Sequence, residues 1–130
     1  MKQPANPRLK QQLKKMSVDE LVGLFRQYGL EQDEAMLGEE RAKVNRLVWK
    51  LKDVGDELKS REGDQRSALL SLYNHRNAQV RLHAIRATLA LAPDIARQAL
   101  EALANSKEYP TSGDAGMTIR ALDQGIFKPT

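Results

Sequence analysis

The fold of this chain is decided by the stretch Asn77-Ala78-Gln79-Val80-Arg81-Leu82-His83-Ala84-Ile85-Arg86-Ala87-Thr88-Leu89-Ala90-Leu91-Ala92. Apolar side chains recur in it at helical spacing on two adjacent stripes. One stripe holds Val80, Ala84, Ala87 and Leu91, and the other holds Leu82, Ile85, Leu89 and Ala92. A surface helix needs only one apolar stripe, so we expect packed neighbours on two sides. The stretch therefore predicts a central helix in a fold of several helices.

The composition is typical of a single helical domain. The chain has 130 residues, of which 41% are hydrophobic and only 5% aromatic, so its core must be mainly aliphatic. A chain of this length can bury about two thirds of its surface. It contains no cysteine, which excludes disulfides, thiolate catalysis and cysteine metal sites. It shows no signal peptide and no apolar run near the roughly 20 residues of a membrane helix. We therefore expect a cytoplasmic protein that does not contact a membrane.

The positive charge is concentrated at the amino terminus. The net charge is +4, and residues 1–16 carry five basic side chains and no acid. These residues also contain Pro4 and Pro7 and show little periodicity. We predict a basic flexible arm over residues 1–16, with helical turns near Leu9 and Leu13 as an alternative. Such an arm is either a solvated tail or a contact for nucleic acid or an acidic partner.

Two helices are predicted between residues 17 and 61. The first begins at Ser17, which has the spacing of a capping box with Glu20, and Gly29 is its expected end. The second runs from about residue 33 to residue 59 or 61, with apolar residues at three- and four-residue spacing. Glycine costs about 1 kcal/mol relative to alanine inside a helix, so we expect a bend or break near Gly38.

Capping residues predict four further helices. Asp64, Asn77 and Asp114 are the expected N-caps of three of them. Pro93 ends the central helix and suits the first turn of the helix that follows. Gly125 followed by Ile126 indicates a Schellman ending of the last helix, in which the apolar residue folds back on the helix.

The pattern as a whole predicts an all-α fold. No stretch alternates between apolar and polar residues as a strand would. About five to six helices joined by short turns, in antiparallel pairs, favour either a solenoid or an irregular bundle.

Two resemblances narrow the fold. The central stretch resembles the second helix of a HEAT repeat, in which a Val-Arg pair is followed by small residues, although Ile85 stands where such helices often have alanine. From about Leu21 to the C terminus, the chain resembles a small bacterial all-helical family, domain of unknown function number twenty-nineteen. The matching segments are Arg61-Glu62-Gly63-Asp64-Gln65-Arg66, Val80-Arg81-Leu82, Gly113-Asp114-Ala115-Gly116-Met117-Thr118 and Leu122-Asp123-Gln124-Gly125-Ile126-Phe127. The resemblance implies one HEAT-like domain over residues 17–130, a short alpha-alpha superhelix, and no particular activity.

The sequence contains no pattern of residues that indicates catalysis. His75 and His83 are the only histidines, and His83 has no acid or histidine at three or four residues with which to share a metal. No nucleophile-elbow, phosphate-loop or metalloprotease motif is present. Gly113-Asp114-Ala115-Gly116 precedes a predicted helix and offers an anion site at its N-terminus, but the charge of Asp114 would repel an anion. We therefore predict a non-enzymatic protein without cofactor or metal.

A few residues are candidates for structural or interaction roles. The resemblance to HEAT repeats implies that Arg81 pairs with an acid of a neighbouring turn, either Asp64 or Asp114. Alternatively, arginines line a concave basic surface formed by Arg66, Arg81, Arg86 and Arg97. Trp49 lies off the main stripe of its helix, where it either closes the edge of the core or anchors a partner.

The sequence leaves three functions open. The preferred one is a protein-interaction module that binds another protein through the groove or end face of a short solenoid, an immunity or antitoxin-type partner being one version. The second is nucleic-acid binding, since some HEAT-like proteins are DNA glycosylases; weak, salt-sensitive binding through the basic arm is its mildest form. Few aromatics and a net charge of −1 over residues 17–130 count against it. The third, a stand-alone enzyme, has no supporting residues.

Overall fold

The computed structural model describes residues 3–130, and these residues are helical without any strand. The helices are α1 (Pro7–Lys14), α2 (Val18–Leu37), α3 (Arg41–Ser60), α4 (Ala78–Thr88), α5 (Pro93–Ala104) and α6 (Thr111–Asp123), with a 3₁₀ helix (Gln65–Asn74) between α3 and α4. The predicted all-α class is therefore confirmed, with seven helical segments rather than five or six.

The chain forms two compact units, one up to Ala68 and the other from Leu69 to Thr130. This division differs from the predicted single domain over residues 17–130. The physical reason is that the α2–α3 hairpin and the α4–α6 group each pack mainly on themselves.

In the first unit, a capping box fixes the start of α2. The Ser17 hydroxyl accepts the Glu20 N–H at 3.1 Å, and the Glu20 carboxylate accepts the Ser17 N–H at 2.9 Å. The prediction that this helix ends at Gly29 was wrong, because Gly29 is buried in the middle of α2 and tertiary packing outweighs the weak helix propensity of glycine. The predicted break near Gly38 is confirmed, since α2 ends at Leu37 and α3 begins at Arg41.

The prediction of a flexible arm does not describe residues 7–14, which form α1. Asn6 caps this helix by accepting the Leu9 N–H, and Leu9 and Leu13 are buried. Arg61 donates from Nη2 to the backbone carbonyls of Leu13 and Met16 at 3.0 and 2.8 Å. The two leucines are four residues apart, so one face of a short helix buries both. Residues 1 and 2 of the predicted arm lie outside the described residues.

A second contact anchors the segment before α1. Gln3 donates from Nε2 to Oδ1 of Asp53 at 2.6 Å. Burial raises the pKa of the Asp53 carboxyl, and the positive charge of Lys10 opposes that shift. Three of the five basic side chains of residues 1–16, those of Arg8, Lys10 and Lys14, are therefore carried on the packed helix α1.

The second unit is built around α4, as the sequence predicts. Its apolar core consists of Leu82, Ile85, Leu89, Ala96, Leu100, Leu103 and Ala115. Val80 and Ala84 of the other stripe are also buried, which confirms that α4 is covered on two sides. Leu91 is an exception at 37% exposure, because α4 ends at Thr88 and the stripe does not continue beyond it.

Most predicted helix ends of this unit are confirmed. The Asn77 side chain accepts the N–H groups of Gln79 and Val80, and Pro93 occupies the first turn of α5. Gly125 has a φ of 72°, and the Ile126 N–H donates to the Ala121 carbonyl in a Schellman ending.

Two expectations at the ends of α6 were wrong. Asp114 is not the N-cap, because α6 begins three residues earlier, at Thr111, and Asp114 lies inside its first turns. Ile126 does not fold back onto the helix and is 75% exposed, whereas Phe127 packs against the core.

Candidate functional site

Polar side chains of α4 face polar side chains of α6. Gln79, His83 and Arg86 follow one another at spacings of four and three residues, which places them on the same face of α4. Their counterparts on α6 are Thr111, Asp114 and Thr118. We call these six residues the α4–α6 seam. It adjoins the apolar core that the same two helices share with α5.

Two hydrogen bonds fix the register of the seam. The Thr111 hydroxyl donates to Oε1 of Gln79 at 3.0 Å, and Arg86 donates from Nη2 to the Thr118 hydroxyl at 2.8 Å. Both pairs are separated by 32 residues in the sequence. Helices α4 and α6 therefore run parallel in one constant register.

Arg86 is the charged residue at the end of this seam. Its Nε also donates to the Thr118 hydroxyl, at 3.1 Å, and that hydroxyl in turn donates to the Asp114 backbone carbonyl at 3.0 Å. Burial lowers the pKa of Arg86, and the Asp114 carboxylate opposes that shift. Within residues 3–130, however, Arg86 forms no ion pair.

The other arginines of the predicted basic surface are neutralised. Arg66 binds Asp64 through Nη2 at 2.7 Å, and Arg81 is paired with Glu108. Arg97 donates from Nε to Glu101 and from Nη1 to Asp123, both at 2.8 Å. Among the four candidates, within the described part of the chain, only Arg86 lacks a carboxylate partner. We therefore find no support for a shared basic surface.

Arg81 has a different partner from the two that the sequence suggested. Its Nη2 binds the Glu108 carboxylate, and its Nη1 donates to the carbonyls of His75 and Arg76 at 2.8 and 3.0 Å. The pairing with Asp64 or Asp114 was wrong, because Glu108 lies in the α5–α6 loop, whose position depends on how α5 packs. Arg81 thus ties the turn before α4 to the loop before α6.

Asp64 has a local role. Its carboxylate accepts hydrogen bonds from the Arg66 side chain at 2.9 and 2.7 Å and from the Arg66 backbone N–H at 3.3 Å. These contacts lower the pKa of the Asp64 carboxyl, the side-chain bond contributing most. Asp64 therefore lies directly before the 3₁₀ helix, where the sequence predicts an N-cap, and accepts a backbone N–H of its first turn.

His83 is held neutral between its neighbours in the seam. Its Nε2 lies 3.2 Å from Nε2 of Gln79, whose Oε1 accepts the Thr111 hydroxyl. Because the Gln79 amide nitrogen can only donate, the ring nitrogen facing it accepts. Burial, with a smaller contribution from Arg86, lowers the pKa of His83 to about 3. The side chain is partly buried.

The remaining candidates from the sequence form no second site within the described residues. Trp49 is partly exposed on α3. It is two residues from both Leu47 and Leu51, so it lies on the other side of the helix from that buried stripe. Over the described residues, no group of three or more histidine and acidic side chains is arranged to hold a metal ion. None of the described helices combines the length and apolarity needed to cross a bilayer.

Sequence reasoning missed Thr111, Thr118 and Glu108 as partners. The spacing of Gln79, His83 and Arg86 was a readable signal for a polar face on α4, since it is helical and adjoins the apolar stripes. Nothing in the spacing indicated which helix covers that face.

The described residues form a small all-helical protein in which the seam holds α4 and α6 parallel. The family model described as domain of unknown function (DUF2019) matches residues 19–123, and the chain belongs to this family. The chain is also similar to a solved structure, the crystal structure of the protein RPA1889 from Rhodopseudomonas palustris CGA009. The two sequences are 50% identical, the TM-score is 0.87, and the match covers 91% of this chain and 98% of that chain. A search of curated proteins gave no match.

Proposed function

We propose that the chain is a non-enzymatic protein-interaction module built on HEAT-like helical repeats. The repeat geometry is supported by α4 and α6, which are parallel and offset by 32 residues, within the roughly 20–50 residues of known repeat architectures. Helix α5 lies between them in the sequence. It runs antiparallel to α6, since Arg97 near the start of α5 binds Asp123 at the end of α6. Solenoids of this kind bind partners through extended surfaces.

The observation that carries the proposal is a group of exposed apolar side chains at one end of the second unit. Leu91, Ile95 and Ile126 are 37%, 57% and 75% exposed. The Arg97–Asp123 bond brings the start of α5 beside the end of α6, so all three residues lie at the same end. Single exposed apolar residues are ordinary, but several together are typical of protein–protein contacts. We call these three residues the apolar end.

Site-specific crosslinking tests this proposal. A photo-crosslinking residue is placed at Ile95 in the full chain and expressed in cells of the native host. The matched control carries it at Asn105, which is exposed at the opposite end of α5. We expect one discrete protein adduct at position 95 that is absent at position 105 and lost when Ile126→Asp is added. Equal labelling at both positions, or none at 95, would contradict the proposal.

Nucleic-acid binding is the second candidate function, and it is favoured by exposed basic side chains on α3 and α1. Residues 41–52 of α3 carry five basic side chains and no acid, and Arg41, Arg46 and Lys52 among them are exposed. Arg8 and Lys14 of α1 are exposed as well. Such a distribution attracts phosphates electrostatically, without sequence preference. The salt dependence described in the Discussion tests it.

A further inference from the structure

One edge of the Arg86 guanidinium forms no hydrogen bond within the described residues. Nε and one N–H of Nη2 are directed at the Thr118 hydroxyl, which leaves Nη1 and the second N–H of Nη2 without a hydrogen bond among residues 3–130. Thr118 cannot turn away without losing its bond to the Asp114 carbonyl. The guanidinium is therefore held by one edge while its Nη1–Nη2 edge is available.

Arg97, in the same unit, demonstrates what such an edge binds. Its Nη1 and Nη2 donate to the two carboxylate oxygens of Asp123, at 2.8 and 3.3 Å. Two parallel N–H donors match the two oxygens of a carboxylate, and a lysine ammonium cannot reproduce this fork. Arg86 presents the same edge without a carboxylate in the described chain.

The free edge of Arg86 is accessible from outside the chain. Arg86 is partly buried, and burial lowers its pKa. Among the described residues, Ser112 Oγ is the one buried side-chain polar atom without a hydrogen-bond partner, so Nη1 of Arg86 reaches solvent. The bonds to Thr118 account for one edge of the guanidinium in the register of the seam, and the open edge is where an anion can bind.

The charge around Arg86 selects the kind of anion. Asp114 is close enough to act on Arg86 electrostatically, and His83 is neutral at physiological pH. The surroundings therefore offer about one positive and one negative charge, which favours a single carboxylate over a phosphate dianion. Met117 and Thr118 follow Asp114 by three and four residues on α6, so each lies on the same side of the helix as Asp114. Met117 is 67% exposed there.

We propose that the Nη1–Nη2 edge of Arg86 binds a side-chain carboxylate from an acidic segment of the partner protein. This inference rests on the proposed function, because it names the chemistry of the partner. It adds a second contact that is separate from the apolar end.

An NMR titration tests the inference on the full chain. The probe is glutamate blocked at both termini, added at constant ionic strength while the Arg86 Nε–Hε and Thr118 amide signals are followed. Blocked glutamine and inorganic phosphate are titrated in parallel. We expect saturable shifts of both signals with blocked glutamate, none with blocked glutamine, and weaker binding of phosphate. Absent or non-saturating shifts, or tighter binding of phosphate, would overturn the inference, the latter in favour of a nucleic-acid or phosphorylated ligand.

Two variants make the assignment specific. Arg86→Lys keeps the charge but removes the fork, so we expect loss of the saturable shift at Thr118 while the spectrum remains that of a folded protein. The matched control is Arg120→Lys, at an exposed arginine of α6, where binding should be unchanged. Binding that survives Arg86→Lys would refute the inference. If the titration fails while the adduct at Ile95 persists, only this inference falls and the proposed function stands.

Discussion

The hydroxyl oxygen of Thr118 accepts two hydrogen bonds from the Arg86 guanidinium, at 2.8 and 3.1 Å. A neutral hydroxyl satisfies two donors but does not neutralise the charge, and no carboxylate of the described chain does so by ion pairing. The relationship therefore positions a cation that forms no ion pair with the described residues. That arrangement distinguishes Arg86 from the other arginines of the second unit that the sequence singled out.

The first prediction concerns stability at Arg86. Arg86→Met should lower the free energy of unfolding by about 1–3 kcal/mol, because it removes the hydrogen bonds to Thr118 that fix the α4–α6 register. Urea unfolding followed by circular dichroism measures the change. An unchanged free energy of unfolding would show that these bonds do not hold the register.

The second prediction concerns Arg81. Arg81→Ala should cost about 1–3 kcal/mol, because the carbonyls of His75 and Arg76 lose a charged donor. Arg81→Lys should cost less than Arg81→Ala but remain measurable, since one ammonium cannot reach both carbonyls and Glu108 in the same geometry.

A double-mutant cycle separates the two contributions of Arg81. The Glu108 side chain is 42% exposed, so its pairing with Arg81 should contribute only about 0–1 kcal/mol. The coupling energy between Arg81→Ala and Glu108→Ala is the measurement. A coupling above about 2 kcal/mol would show that the ion pair, rather than the backbone contacts, dominates.

The third prediction tests the core around α4. Leu89 is 5% exposed and belongs to the apolar core, so Leu89→Ala should cost about 2–5 kcal/mol through a cavity. Leu91 is the matched control, because the same substitution at 37% exposure should cost less than about 1 kcal/mol. Equal losses at the two positions would refute the assignment of Leu89 to the core.

The fourth prediction is a pH dependence from His83. Its pKa falls from 6.5 to about 3 on folding, so below pH 6.5 the unfolded chain binds a proton that the folded chain does not. The contribution is fully present above pH 6.5 and is lost as the pH falls, by about 1.4 kcal/mol per pH unit until the folded ring is protonated. Urea unfolding between pH 7 and 4 measures the slope. His83→Gln should reduce that slope, and an unchanged slope would show that His83 is not its source.

The fifth prediction concerns nucleic acid. We expect only weak binding, with a slope of log affinity against log salt no steeper than about −4.5, because the first 16 residues carry five basic groups. Deleting these residues would remove Leu9 and Leu13 from the core, so the appropriate variant replaces the α1 bases Arg8, Lys10 and Lys14 by glutamine. Loss of binding in this folded variant would confirm the expectation. Tight binding that persists at physiological salt would favour the second candidate function.

Local signals were reliable wherever the interacting atoms lie within a few residues. The capping box of Ser17 and Glu20, the cap at Asn77 and the Schellman ending at Gly125 were all predicted correctly. Each is satisfied by backbone groups two to five residues away, so the sequence alone specifies it. Gly29 shows the limit, because its burial against a neighbour, rather than its propensity, decided that α2 continues.

The sequence by itself determined that this protein is helical, that α4 is central to its unit, and that Gln79, His83 and Arg86 share a face. The tertiary structure decided which of the charged residues are paired. Arg81 meets Glu108 across 27 residues and Arg86 meets Thr118 across 32, and both distances depend on how α5 and α6 pack on α4. Helical periodicity is set by backbone geometry and can be read locally, whereas the identity of a partner depends on the packing of whole helices.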